Sequence, residues 1–313
     1  MTAQKFFTEI YNAGLVVFLL TLITSLGMTF SVAQIMAPLK RVRVLLGLIV
    51  VNLGLAPLIA IGIAHLLPLH SQTRIGLAIV TIAAGAPIAM KACQLAKRSD
   101  MAMAVSFTIV LIVLTIPVAP LWAQAIISGA KVDPWGIVKD LIFLVLIPLV
   151  VGLILRSRYP EHRDSWKNGL EKTSNIALYA ALVVGIAVNW NALISVIGSW
   201  VILASVLIII AYAVLGAVVG LPERPIVITT SLMSAFKFTP VGLVVIATVL
   251  HNQSTYLTPA LVFVLVDTIV PLALGVEIGH RHQQASQRED PQGQKATPAQ
   301  SPATTGTNSL HHG

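Results

Sequence analysis

Long apolar stretches separated by short polar ones make up most of the first 280 residues of the chain. Nine of them approach the roughly 20 residues that a helix needs to cross about 30 Å of hydrocarbon. They predict spans at about 12–36, 44–67, 75–96, 101–126, 136–156, 173–190, 195–220, 225–250 and 258–279. The first stretch is too long for a signal peptide and has no convincing cleavage site. The pattern therefore predicts an all-α membrane protein with about nine transmembrane helices.

Composition supports a bilayer as the surrounding medium. Hydrophobic residues make up 56% of the chain and charged residues only 10%, whereas a soluble domain carries about 25% charged residues. The net charge of +8 does not indicate nucleic-acid binding, because the basic residues form short clusters between spans rather than a stripe. We expect a short N-terminal segment, 1–11, a membrane domain, 12–280, and a polar, disordered cytosolic tail, 281–313.

The distribution of basic residues predicts the orientation of the chain. With nine spans and the N-terminus outside, fourteen of the 20 lysines and arginines fall on the cytosolic side. The outer segments then hold only Lys5, Arg74, Lys131 and Lys139. Cytosolic loops of membrane proteins are enriched in basic residues. We therefore expect a multi-pass protein of a plasma membrane, the inner membrane in a bacterium, with its C-terminus in the cytosol.

Two similar segments suggest an internal repeat. The fourth span contains Leu114-Thr-Ile-Pro-Val-Ala-Pro120, and the ninth contains Asp267-Thr-Ile-Val-Pro-Leu-Ala273. The first repeat would cover about 12–126 and the second about 173–280, with 136–156 as a linking span. Five spans separate equivalent members, an odd number, so the two four-helix units would be inverted. Inverted repeats are typical of secondary transporters, which bind substrate near the bilayer midplane.

The third and eighth spans hold equivalent positions in the two units, and both contain residues that interrupt helices. These are Gly85 and Pro87 in one span, and Pro240 and Gly242 in the other. Proline removes a backbone donor, and in lipid the freed groups need partners from protein, water or ligand. A simple kink is the alternative for either span taken separately. For an equivalent pair, we expect two broken helices that cross at a binding site.

Four polar residues within the predicted spans are candidate site residues: Lys91, Lys237, Asp267 and Asn52. Ionisable residues in a membrane usually face a cavity or a partner. The side chain of Lys91 is long enough to reach the cytosolic interface instead. A Lys237–Asp267 pair could be purely structural, and Asn52 could simply hydrogen-bond a neighbouring helix.

The sequence gives no indication of enzyme chemistry. It contains no nucleotide-binding loop, no metal-ligand spacing and no nucleophile with an adjacent base. Its one cysteine, Cys93, forms no intrachain disulfide and is best read as a small buried apolar residue. We expect neither an enzyme nor a cofactor.

Several short motifs, taken in order, resemble the bile acid:sodium symporter family. They are Leu26-Gly-Met-Thr-Phe30, Pro57, Gly85-Ala-Pro87, Leu95-Ala-Lys97 and Gly242-Leu243. The resemblance covers about residues 12–280. It implies a panel domain packed against a core domain with two crossing, broken helices. It also implies a small organic anion, bile-acid-like or another carboxylate, as substrate.

This chain departs from the family at the positions that bind sodium. In the first crossing helix, Ala89 and Met90 take the places of a Ser-Asn pair. In the second, Ala235 and Thr239 take the places of a Glu and a Gln. Sodium is a hard cation that needs oxygen ligands. The resemblance therefore implies that the usual Na⁺ ligands are largely replaced.

The same comparison puts basic residues next to the missing ligands. Lys91 follows Met90, and Lys237 lies between the two replaced positions of the second helix. Asn52 takes the place of a sodium-ligating Gln, and Asp267 that of a polar Asn. The hypothesis is that Lys91 and Lys237 substitute electrostatically for two sodium ions, so that transport is sodium-independent or proton-coupled. A sodium-coupled symporter with differently placed ligands and a ligand-binding membrane sensor remain the alternatives, and the oligomeric state is left open.

Overall fold

The computed structural model describes residues 3–29, 31, 41–127, 133–188, 194, 200–251 and 253–289. The regular structure in these residues is helical. The helices are α1 (Ala3–Thr29), α2 (Val42–Leu66), α3 (Ser71–Val80), α4 (Ile88–Leu95), α5 (Met101–Ile126), α6 (Pro134–Arg158), α7 (Arg163–Val188), α8 (Trp200–Gly220), α9 (Arg224–Ala235), α10 (Thr239–Val249) and α11 (Ser254–Glu289).

The predicted fold class is confirmed: the chain is an all-α membrane protein. Within the described residues, six helical segments are long and apolar enough to cross a bilayer: α2, α5, α6, α8, the α9–α10 pair and α11. The first predicted span overlaps α1, the third overlaps α3 and contains α4, and the sixth overlaps α7. The total of nine spans and the inverted repeat stay predictions. Residues 30, 32–36, 189–190 and 195–199 of the predicted spans lie outside the described part.

The first and last helices extend beyond the predicted boundaries of the membrane domain. α1 begins at Ala3, although the segment 1–11 was expected to precede the membrane domain. α11 continues to Glu289, nine residues into the segment predicted as a disordered tail. The remainder of that tail, from residue 290, lies outside the described residues.

A panel group, α1, α6 and α7, is organised around α1, which packs along both other helices. A Cβ added to Gly27 of α1 would lie 2.4 Å from the Leu149 carbonyl oxygen, and one on Gly152 of α6 would lie 2.2 Å from the Thr24 oxygen. Such spacing means that the two backbones touch, which small residues permit in membrane helices. The Arg156 guanidinium also donates to the carbonyls of Met28 and Thr29 at the C-terminal end of α1.

Local π-helical segments occur in α2 and α6, each ending just before a proline. They cover Val50–Leu55, before Pro57, and Ile142–Leu146, before Pro148. Proline removes one backbone donor and often marks a local change of helical winding. In the π-helical segment of α2, close to Pro57, the Leu53 carbonyl accepts a 2.7 Å hydrogen bond from the Trp122 indole of α5.

The core group, α2–α5 with α8–α11, contains the two interrupted spans. Residues 81–87 separate α3 from α4, and residues 236–238 separate α9 from α10. The two breaks meet directly, because the Phe238 N–H donates to the Ala83 carbonyl at 3.2 Å. We call this meeting of the two breaks the helix crossing. It lies inside the protein, where the loop backbones are shielded from lipid as they must be.

Two glycines permit this close approach. Gly85 has φ +86°, and a Cβ there would lie 2.5 Å from the Thr108 carbonyl oxygen. Gly242 packs on α3, where a Cβ would lie 2.5 Å from the Val80 Cα atom. The glycines that suggested helix breaks in the sequence therefore also remove side-chain volume between neighbouring backbones.

A Gly85→Ala substitution should destabilise the protein substantially. The left-handed backbone conformation costs an L-residue about 1–2 kcal/mol, and the overlap with the Thr108 carbonyl adds to this. Thermal unfolding of the detergent-solubilised protein would measure the loss. Gly62→Ala is the matched control, because a Cβ at Gly62 meets nothing within 4 Å. Equal melting temperatures for the two variants would show that the position of Gly85 does not require glycine.

A Trp122→Phe substitution should also destabilise the protein, because it leaves the Leu53 carbonyl without its donor. An unsatisfied buried acceptor costs about 1–3 kcal/mol. Trp135→Phe is the matched control, because that indole is exposed and its loss should change stability little. Thermal unfolding of the two variants tests this. Equal melting temperatures would show that the Trp122 hydrogen bond does not stabilise the protein.

Candidate functional site

The most unusual side chain in the structure is Lys237, which lies in the break between α9 and α10. It is only 2% exposed. Its Nζ donates to the Oδ1 atom of Asn52 at 2.7 Å and lies 4.3 Å from the ring centroid of Tyr212. An amide oxygen and an aromatic face are both favourable partners for a buried cation. The ammonium is therefore held at the helix crossing by side chains of α2 and α8.

The two groups that hold the ammonium are themselves fixed by hydrogen bonds. The Asn52 amide donates to the Leu48 carbonyl at 3.1 Å and to the hydroxyl of Ser234 at 2.9 Å. The Tyr212 hydroxyl donates to the Ala56 carbonyl at 2.7 Å. The bonds to the Leu48 and Ala56 carbonyls anchor the site to the part of α2 around the π-helical segment. A side chain buried with satisfied polar partners has one preferred position, so the site is preorganised.

Asp267 of α11 reaches the same break from the other side. It is 3% exposed, and its Oδ1 atom accepts a hydrogen bond from the Lys237 backbone N–H at 3.1 Å. Among the ion pairs of the described residues, with N–O distances up to 4.0 Å, there is none between the Asp267 carboxylate and the Lys237 ammonium. The simple Lys–Asp pair considered from the sequence is therefore replaced by a contact with the backbone. The two charges still attract each other, since screening is weak in the protein interior.

The first break is held in a similar way. The Ala84 N–H donates to the hydroxyl oxygen of Thr115, on α5, at 3.0 Å. In each interrupted span, the helix that follows in the chain supplies a side-chain oxygen to a backbone N–H of the break. Thr115 and Asp267 both lie shortly before a proline, in the two segments whose similarity suggested a repeat.

The other predicted site residues take different positions. The Lys91 side chain is exposed on α4 and does not join the Lys237 site. Met90 is half-buried and packs against the apolar core. Thr239, which is buried, and Pro240 are the first two residues of α10, and Pro87 directly precedes α4. Of the two lysines expected beside the crossing, the structure has Lys237 buried there and Lys91 on an exposed face of α4.

Three residues that sequence reasoning did not select complete the site: Tyr212, Ser234 and Thr115. Tyr212 lies near the middle of a 21-residue apolar helix, whereas tyrosines of membrane helices favour the interfaces. That position was a usable signal. Ser234 and Thr115 gave none, because serine and threonine in membrane helices commonly bond their own backbone.

A groove of about 450 Å³ lies between the panel and core groups. Its walls come from the middle of α1 and the N-terminal half of α6 on one side and from α10 on the other. The lining residues are Leu15, Val16, Asp140, Phe143, Leu144, Val244, Ala247 and Thr248. The groove is a mainly apolar space that contains one carboxylate.

The described residues contain no cluster of three or more His, Cys, Asp or Glu side chains that could hold a metal ion.

Comparison with known proteins agrees with this architecture. The family model for the sodium bile acid symporter family matches residues 16–221, well over half of the chain. No match to a curated protein was found. The matched segment includes the first break, Asn52 and Tyr212, whereas α9, α10 and α11 follow it. Together with the membrane-spanning helices, the match shows that the chain belongs to the sodium bile acid symporter family, whose members are transporters.

Proposed function

We propose that the protein is a secondary transporter that moves a small organic anion by alternating access. We further propose that it does so without sodium, because the Lys237 ammonium occupies the position of a bound cation. The observation that supports this is the 2.7 Å hydrogen bond between this buried ammonium and the Asn52 amide oxygen, beside the helix crossing.

The chemistry of Asn52 links the ammonium to a cation site. By resemblance, Asn52 stands where relatives have a sodium-ligating glutamine, so its oxygen is the type of group that would bind Na⁺. Here that oxygen accepts from Lys237 instead. A second cation at the same oxygen would be repelled by the ammonium. The geometry supports one fixed cation, since Lys91 is exposed.

The groove supports movement of a small organic solute. Its volume falls within the roughly 300–1,000 Å³ typical of small-molecule sites. It separates the panel group from α10, the second half of a broken helix, so relative movement of the two groups would open or close it. In the predicted orientation, the lining residues of all three helices lie in the outer half of the membrane.

The predicted topology is part of this proposal: nine spans in inverted repeats, the N-terminus outside and the C-terminus in the cytosol of a bacterial cell. The similar roles of Thr115 and Asp267 support the repeat, because each completes the break in the preceding span. Sodium-coupled symport is the second candidate, favoured by the family to which the chain belongs.

Uptake of radiolabelled taurocholate into proteoliposomes should be equally fast in sodium and in choline buffer. Taurocholate is a bile acid sulfonate that stays ionised, so it does not cross lipid as a neutral acid. Lys237→Met should abolish uptake in both buffers, because it removes the fixed cation. Lys91→Met is the matched control, and its uptake should match wild type. A strict sodium requirement would instead establish the second candidate.

The charges of Lys237 and Asp267 should be energetically coupled. Lys237→Met leaves a buried carboxylate without compensation, and Asp267→Asn leaves a buried ammonium. Each single variant should therefore lower the melting temperature, because a buried charge without an opposite charge nearby is unfavourable. The double variant should unfold at a higher temperature than the sum of the single effects predicts, with a coupling of about 0.5–3 kcal/mol. Strict additivity in thermal unfolding would show that the two charges act independently.

A further inference from the structure

Asp140 is a membrane carboxylate that the helix crossing does not use. It lies in the second turn of α6, where its partly buried side chain lines the groove between the panel group and α10. It forms no hydrogen bond or ion pair with another described residue. The other polar residue of the groove, Thr248, donates its hydroxyl proton to the Val244 carbonyl of its own helix at 3.0 Å. The carboxylate is therefore the polar group that remains free to act on a solute.

Among the described residues, few charges lie near Asp140, and none of them compensates its charge. Just before α6, Asp133 accepts a hydrogen bond from the Trp135 N–H. On α6, Lys139 directly precedes Asp140, but its side chain is exposed. Consecutive residues of a helix do not face each other. On α1, Glu9 is exposed, and the Lys5 side chain lies outside the described part. Neither α10 (Thr239–Val249) nor α5 (Met101–Ile126) contains an ionisable residue.

An ionised Asp140 is incompatible with an anion in the groove. Like charges close together in an apolar space repel strongly, and one of them takes up a proton instead. A protonated carboxyl group has the opposite effect, because its O–H can donate to an anionic group. The protonation state of this one residue thus decides whether the groove accepts or rejects an anion.

We propose that Asp140 is the proton-binding group that couples organic-anion transport to protons. This inference rests on the proposed function and deepens it, because it names the coupling ion and the residue that binds it. A proton from the outer water adds to a carboxylate oxygen of Asp140. The resulting carboxylic acid donates its O–H to the anion in the groove. When the groove opens to the cytosol, the anion and the proton leave, and Asp140 returns as a carboxylate.

The stoichiometry follows from this sequence of steps. One proton accompanies each monovalent anion, so the cycle moves no net charge. Only the O–H bond of Asp140 forms and breaks. A fixed ammonium at Lys237 removes the need for sodium, and Asp140 supplies a different ion gradient as the driving force. The two residues lie in different parts of the protein, one in the core and one in the panel, and have separate tasks.

The test uses the full chain in proteoliposomes with taurocholate as the probe. With wild-type protein, an acidic outer medium and a neutral lumen should drive accumulation several-fold above the level reached without a pH gradient. Counterflow at equal pH on both sides should slow as that pH rises. Asp140→Asn cannot bind or release a proton, so it should lose the accumulation and the pH dependence of counterflow.

Asp133→Asn is the matched control, because it removes a carboxylate from the same end of α6 while asparagine still caps the helix. It should keep the accumulation and a pH dependence of counterflow, which Asp140→Asn loses. The wild-type response needs no variant, so misfolding of Asp140→Asn cannot obscure the result. Wild-type counterflow that is independent of pH would overturn the inference and leave the proposed function intact. No counterflow at any pH would remove both. Tetraethylammonium uptake that depends on Asp140 would show that the groove binds cations instead, and would overturn the inference.

Discussion

The hydrogen bond from the Phe238 N–H to the Ala83 carbonyl joins two stretches of backbone that have no helix of their own. In a bilayer such groups cannot turn to solvent, so each must find a partner within the protein. The crossing meets this demand with one direct bond and with side-chain oxygens from the helices that follow. Asp267 and Thr115 supply them. The positions of α5 and α11, and through them the packing of the core group, follow from this requirement.

The sequence predicted the breaks because glycine and proline occur together in two spans that hold equivalent positions in the expected repeat. Gly85 and Gly242 remove volume where backbones meet, and proline removes a donor. It also predicted that Lys237 and Asp267 would be buried, since each lies far from the ends of its span. The contact between these two residues was harder to predict. Whether the carboxylate meets the ammonium or a backbone N–H depends on the backbone path of the break, which the residue types alone do not determine.

Lys91 and Tyr212 show the other limit of sequence reasoning. Lys91 was placed beside the crossing by its distance from Leu95-Ala-Lys97, but the face that it occupies depends on where α4 starts after the break. One residue of helix rotates a side chain by about 100°, enough to turn it from the site to an exposed face. Tyr212 belongs to a helix whose sequence gives no face a preference, because apolar residues surround it on all sides.

The contact between Gly27 and Gly152 has a mechanical consequence for the panel group. The two helices touch there with no side chain between them, whereas Leu15 and Asp140, twelve residues back along each helix, stand at the groove. Twelve residues of helix span about 18 Å. A change of about 10° in the angle between the helices, centred on the glycines, would alter their separation at the groove by about 3 Å. The glycine contact would thus serve as the pivot of this rotation. A movement too small to disturb the packing at the glycines would change the distance between α1 and α6 at the groove.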